Sequence, residues 1–117
     1  MDKKYPEYYQ HLQTLMVKLG NELPGPMAGF GQLHRQAVAG GTLSTKVKEL
    51  IALGIAIAAR CDGCIAYHVH DALRAGATRK EVLEAIGVAI LMGGGPATVY
   101  GAEAFEALEQ FETAGTR

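Results

Sequence analysis

The chain has 117 residues, 49% of them apolar, and a formal net charge of −1. That length corresponds to one domain with a buried core, 1–117, and the apolar content argues against disorder. With no run of Lys or Arg, the charge supplies no footprint for nucleic acid or an anionic membrane, so neither is expected as a partner.

Tyr8, Leu12, Leu15, Met16 and Leu19 recur at helical spacing in the first segment, which the pattern ends at Gly20 and a Pro24-Gly25-Pro26 turn. A second amphipathic helix starts on Pro26, carries Met27, Phe30, Leu33, Ala37 and Val38, and ends at Gly40-Gly41. Ser44 is a suitable N-cap for a third helix, whose half from Leu50 to Ala59 is apolar on every side and so belongs in the middle of the fold. That run is about half the length a bilayer requires, so no membrane span is expected. A fourth helix opens at Cys61 or Asp62 and ends at Gly76. Thr78 and Glu81 form a capping box for a fifth, which carries Val82, Ile86, Ala89 and Ile90 and closes at Gly93-Gly94-Gly95-Pro96. A last helix sets Ala97, Tyr100, Ala104, Leu108 and Phe111 on one side and fades into a polar tail from Thr113 to Arg117. No segment alternates like a strand. The fold class is therefore all-α, a bundle of about six helices with a central antiparallel hairpin where the third and fourth meet at Arg60-Cys61.

Both cysteines lie in the pattern E-x11-C-x2-C-x3-H, made by Glu49, Cys61, Cys64 and His68. A lone C-x2-C pair is a reversible disulfide, a pair of metal ligands or a compositional accident. In the first helical turn, free N–H groups and the positive end of the helix dipole favour thiolate. Positions 61, 64 and 68 share one helical face, so His68 is placed to take or return a thiol proton. The start Met1-Asp2-Lys3-Lys4-Tyr5-Pro6 lacks the apolar stretch of a secretory signal, which makes a cytoplasmic protein the expectation. In a reducing cytosol a permanent staple is disfavoured, leaving turnover chemistry or metal binding. Glu49 lies about 16 Å back from the hairpin corner and His68 about 10 Å along the next helix, a difference two long side chains span. A buried Glu49 needs a hydrogen-bond partner, and His68 would serve; the simpler reading makes Glu49 part of a solvated helix start.

These positions, with Arg60-Cys-Asp-Gly-Cys-Ile-Ala-Tyr-His68, Ala75-Gly-Ala-Thr78 and Met92-Gly-Gly-Gly-Pro-Ala97, resemble the alkylhydroperoxidase D-like branch of the carboxymuconolactone decarboxylase superfamily. The likeness spans roughly Ser44 to Leu108, leaving helices within 6–40 for packing and oligomerisation. It implies an all-helical trimer or hexamer without a bound cofactor or metal. It also implies that Cys64 attacks an organic hydroperoxide or disulfide substrate, that Cys61 resolves the sulfenic acid to a disulfide, and that Glu49 and His68 relay protons. With no third cysteine in the chain, reduction falls to an external dithiol, a lipoyl group or a thioredoxin-like protein. Gly63 stands where well-known peroxidase members carry a histidine, which leaves His70 or Tyr67 to compensate. Lactone decarboxylation is disfavoured because the members that perform it lack the cysteine pair.

The competing class is a non-catalytic redox- or zinc-sensing oligomer. Cys61, Cys64 and His68, with His70 or Glu49, are acceptable zinc ligands, although they crowd largely onto one helix. His70 points about 200° from His68 and is expected at the surface or an interface. His11 and His34 carry no signal. The glycine run around Gly94 is a turn, since no G-K-[ST] follows it. Tyr5, Tyr8 and Tyr9 read as an oligomer contact or as surface packing.

Overall fold

The computed structural model describes residues 3–115, and these form six helices and no strand. Met1, Asp2, Thr116 and Arg117 lie outside the described residues, and with them the outermost parts of the expected leaderless start and polar tail. The helices are α1 (Tyr5–Glu22), α2 (Pro24–Val38), α3 (Thr45–Ala58), α4 (Asp62–Arg74), α5 (Arg79–Gly93) and α6 (Gly95–Thr113). One core unites five of them, through Tyr5 of α1, Leu53 and Ile57 of α3, Ile65 and Val69 of α4, Val82 and Ile86 of α5, and Leu108 and Phe111 of α6. α3 packs against α4, α5 and α6.

The expected punctuation held at most boundaries. Ser44 Oγ accepts the Val47 N–H at 3.1 Å, and Thr78 and Glu81 close a reciprocal capping box. Gly94 has φ +74° between α5 and α6, a backbone region that costs glycine nothing. Gly93 beside it is required by space, because a Cβ there would lie 2.6 Å from the Cβ of Ala97.

The first interhelical boundary differs from its expected form. Gly20 does not stop α1, which runs on to Glu22, and α2 starts at Pro24 with no intervening Pro-Gly-Pro turn. Proline is tolerated in a first helical turn because its missing N–H would have no intrahelical acceptor there, so Pro24 and Pro26 both sit inside the helix.

α3 departs from expectation as well. Leu53, Ala56 and Ile57 are buried, but Ile51 and Ile55 face outward, Ile55 being 63% exposed. The helix is apolar all round and yet is covered on one side only. The apolar face of α2 is likewise open: no residue of α2 is buried, and Phe30 and Leu33 are largely exposed. The three tyrosines divide. Tyr5 is in the core, where its N–H donates to Gln110 Oε1 at 2.6 Å, while Tyr8 and Tyr9 are partly buried against it.

Candidate functional site

The corner between α3 and α4 sets the geometry of the cysteines. Ala59 ends α3, Arg60 takes a left-handed φ of +60°, the Arg60 N–H donates to Ile57 O and the Cys61 N–H donates to Ala56 O, each at 3.1 Å. This is the paired bonding of a Schellman turn with arginine in the position glycine usually fills, at a cost of about 1–2 kcal/mol. Gly76 does the same at the end of α4 without that cost. Because the reversal is completed within two residues, Cys61 both ends one helix and caps the next. Its sulfur accepts the Cys64 N–H at 3.2 Å. The two cysteines are joined as a disulfide, their Cα atoms 5.2 Å apart, and both are partly buried at the positive end of α4.

One turn along α4, His68 Nδ1 lies 2.7 Å from Glu49 Oε1. Glu49 is the fifth residue of α3 and only 3% exposed, so it is not part of a solvated helix start. Its carboxyl is buried and needs the imidazole beside it. The structure thus brings Glu49 to His68 and Cys61 to Cys64, with Cys64 and His68 four residues apart on one stripe of α4 and Cys61 at its N-cap.

His70 corrects an expectation. It is buried rather than exposed, with its ring stacked on Tyr9 at 4.0 Å between centroids, Phe111 edge-on to it, and Nδ1 2.8 Å from Asp71 Oδ1. α1 lies over this side of α4, a docking that helical periodicity alone does not reveal. Tyr67 also packs edge-on against Tyr9; burial first, and the Asp71 charge second, push its phenol above the usual tyrosine range. Gly63 has a steric reason. A Cβ at that position would meet Leu12 Cδ1 at 3.1 Å and the Tyr8 hydroxyl at 3.7 Å, so α1 occupies the space a histidine would need.

Two groups are assembled only by the fold. The first surrounds Asp62, between the cysteines. Asp62 Oδ2 pairs with Lys3, while Oδ1 is buried with no amide, amine or hydroxyl donor. Glu103 of α6 lies beside it, its carboxyl held above the ordinary range first by burial and then by a hydrogen bond with Asp62. The second group is His34, Glu49 and Asp71, which offer one ligand atom each, all within 4.8 Å of one another. Asp71 continues the α4 stripe three residues beyond His68, a legible spacing. His34 had no local signal, because it arrives from α2 across the fold.

The profile of the carboxymuconolactone decarboxylase family matches residues 24–107. The chain belongs to that family. A Legionella pneumophila family member, crystallised in its apo form, superposes with TM-score 0.89 at 42% identity over 94% of this chain and 98% of that one. A Thermotoga maritima family member gives TM-score 0.72 at 30% identity over 77% and 93%. By sequence, the chain is 40% identical over 93 residues to an uncharacterised protein of Cupriavidus necator, covering 77% of this chain and 82% of the relative. It is 36% identical over 85 residues to uncharacterised protein 4 in the cox locus of Paracoccus denitrificans, covering 73% and 77%. Family membership and the closed C-x2-C pair are compatible with a redox role of the alkylhydroperoxidase D-like kind. No helix among the described residues is long and apolar enough to cross a membrane.

Proposed function

We propose that this family member is a thiol-dependent oxidoreductase that reduces an organic hydroperoxide, or a disulfide, by cycling Cys61 and Cys64. The observation that carries the reading is the Cys61–Cys64 disulfide at the start of α4, with His68, paired to Glu49 of α3, one turn beyond Cys64. In the reduced chain the Cys64 thiolate attacks the terminal peroxide oxygen. The O–O bond breaks, an S–O bond forms, and the departing alkoxide takes a proton and leaves as alcohol. His68, with Glu49 holding its other side, moves that proton. The Cys61 thiol then displaces water from the Cys64 sulfenic acid, giving the disulfide before further oxidation. Two electrons and two protons from an external dithiol, lipoyl or thioredoxin-like, restore both thiols. The Thermotoga maritima relative, for which a part in the antioxidative response has been suggested, agrees with this chemistry.

The acting form in this proposal is a cytoplasmic homo-oligomer, a trimer or hexamer. Its support is the apolar outer side of α3 and α5, where Val47, Ile51, Ile55, Ala85, Val88 and Met92 line an open hollow of about 430 Å³. The decisive experiment is turnover of an organic hydroperoxide with dihydrolipoamide as reductant, for wild type and Cys64→Ser. Wild type should turn over and the variant should not. Full peroxide reduction by Cys64→Ser would remove Cys64 from the mechanism. Stoichiometric disulfide formation without turnover in wild type would make the pair a sensor.

A further inference from the structure

The geometry points to a divalent metal site formed by His34 of α2, Glu49 of α3 and Asp71 of α4, taking a first-row transition ion such as Zn²⁺. It differs from a cysteine-based zinc site in every ligand but Glu49, because both sulfurs are committed to each other. Three helices converge to bring one imidazole and two carboxylates within 4.8 Å of one another. Ligand atoms of a tetrahedral ion, with bonds of about 2.1 Å, are about 3.4 Å apart, so closure asks for shifts that side-chain rotation supplies. Imidazole with two carboxylates is a borderline-to-hard donor set, matched to Zn²⁺, Mn²⁺ or Fe²⁺.

Two further observations separate this cluster from a chance meeting of surface charges. Glu49 is only 3% exposed, so one of the three ligands is a core carboxylate rather than a surface one. Each carboxylate is also already held by a different imidazole, Glu49 Oε1 by His68 and Asp71 Oδ1 by His70, both through Nδ1. That outer ring of hydrogen bonds is what orients ligating carboxylates in metal centres. Among the described residues no hydrogen bond joins His34 to either carboxylate, so its ring nitrogen is not committed to them.

The test is isothermal titration of Zn²⁺ into the disulfide form of the full chain, in which no thiolate competes. It is repeated with His34→Ala and Asp71→Asn, and a Co²⁺ titration reads d–d absorption. His34 lies on a helix with no buried residue and Asn is isosteric with Asp, so both variants should fold. One zinc per chain, weakened at least about tenfold by each substitution, with a Co²⁺ spectrum that each substitution alters and no comparable Mg²⁺ binding, is the expected result. Zinc affinity unchanged in both variants would place the metal elsewhere. Equal affinity for Mg²⁺ would reduce the cluster to an acidic patch. Either outcome overturns the site, and neither bears on the thiol cycle, since the protein is titrated with its cysteines closed.

Discussion

The α3–α4 hairpin and the α1–α2 arm hold chemistry by opposite means. In the hairpin, Glu49, Cys61, Cys64 and His68 are positioned by buried neighbours on the same two helices, Leu53, Ile57, Ile65 and Val69, and by a corner bonded at both ends. In the arm, α1 docks on α4 and α6 through Tyr5 and Tyr9, but α2 contributes nothing to the core and still delivers His34 to Glu49 and Asp71. A side chain can thus reach a site from a weakly anchored helix. Its placement is then the most easily disturbed part of the arrangement.

The largest contrast should come from truncation on the hairpin side. Leu53→Ala, at a fully buried position of α3, should cost about 2–5 kcal/mol in urea unfolding. A loss below about 1 kcal/mol would mean that the hairpin is not the rigid partner. At the seam between the regions, Gly63→His should cost about 1–3 kcal/mol, because the new side chain must displace Leu12 and Tyr8, and amide exchange in α1 should quicken. Unchanged protection of α1 would show that this helix is not seated on α4 as described. In the arm, Leu33→Ala should shift stability by no more than about 0.5 kcal/mol, since Leu33 is 59% exposed. A larger loss, with a smaller species in sedimentation, would assign α2 to a contact between copies.

The smallest effect depends on pH. Glu103 is held above the ordinary carboxylate range by burial and by Asp62, so the fold favours its protonated form. That contribution is complete below the unfolded carboxyl pKa of about 4.3 and fades as pH rises through the raised folded value. Glu103→Gln, which cannot ionise, should therefore gain on wild type as pH rises above about 4. The gain should stay within a fraction of a kcal/mol, because the group is largely solvent-screened. Parallel stability profiles for the two proteins would deny that the fold raises the Glu103 carboxyl.

Much of the hairpin was legible because its signals are local. Ser44, Thr78 with Glu81, and Gly94 announce helix ends through their own hydrogen bonds or φ angle, and the spacing of Cys61, Cys64 and His68 puts them on one stripe of any helix. The pairing of Glu49 with His68 followed from counting residues either side of a short corner, and the two side chains do meet. One departure is local, at Gly20 and Pro24 to Pro26, where glycine and first-turn prolines are compatible with helix as well as with a turn; the others involve residues far apart along the chain. The spacing on α4 fixes the direction of His70 away from His68 but carries no sign of Tyr9 arriving over that face. α3 was placed centrally because its run is apolar all round, but composition does not tell burial within one chain from exposure at its outer side.

By itself, then, the sequence determined an all-α chain, its helix caps, the cysteine pair at the start of a helix and the stripe that pair shares with His68. These depend on interactions within one or two turns, which residue identity and periodicity specify. Only the tertiary structure decided that Gly63 is covered by α1, that Glu103 of α6 comes to lie beside Asp62, and that His34 joins Glu49 and Asp71. Each of those depends on how separate helices dock, a choice made by packing the whole core at once and recorded at no single position of the chain.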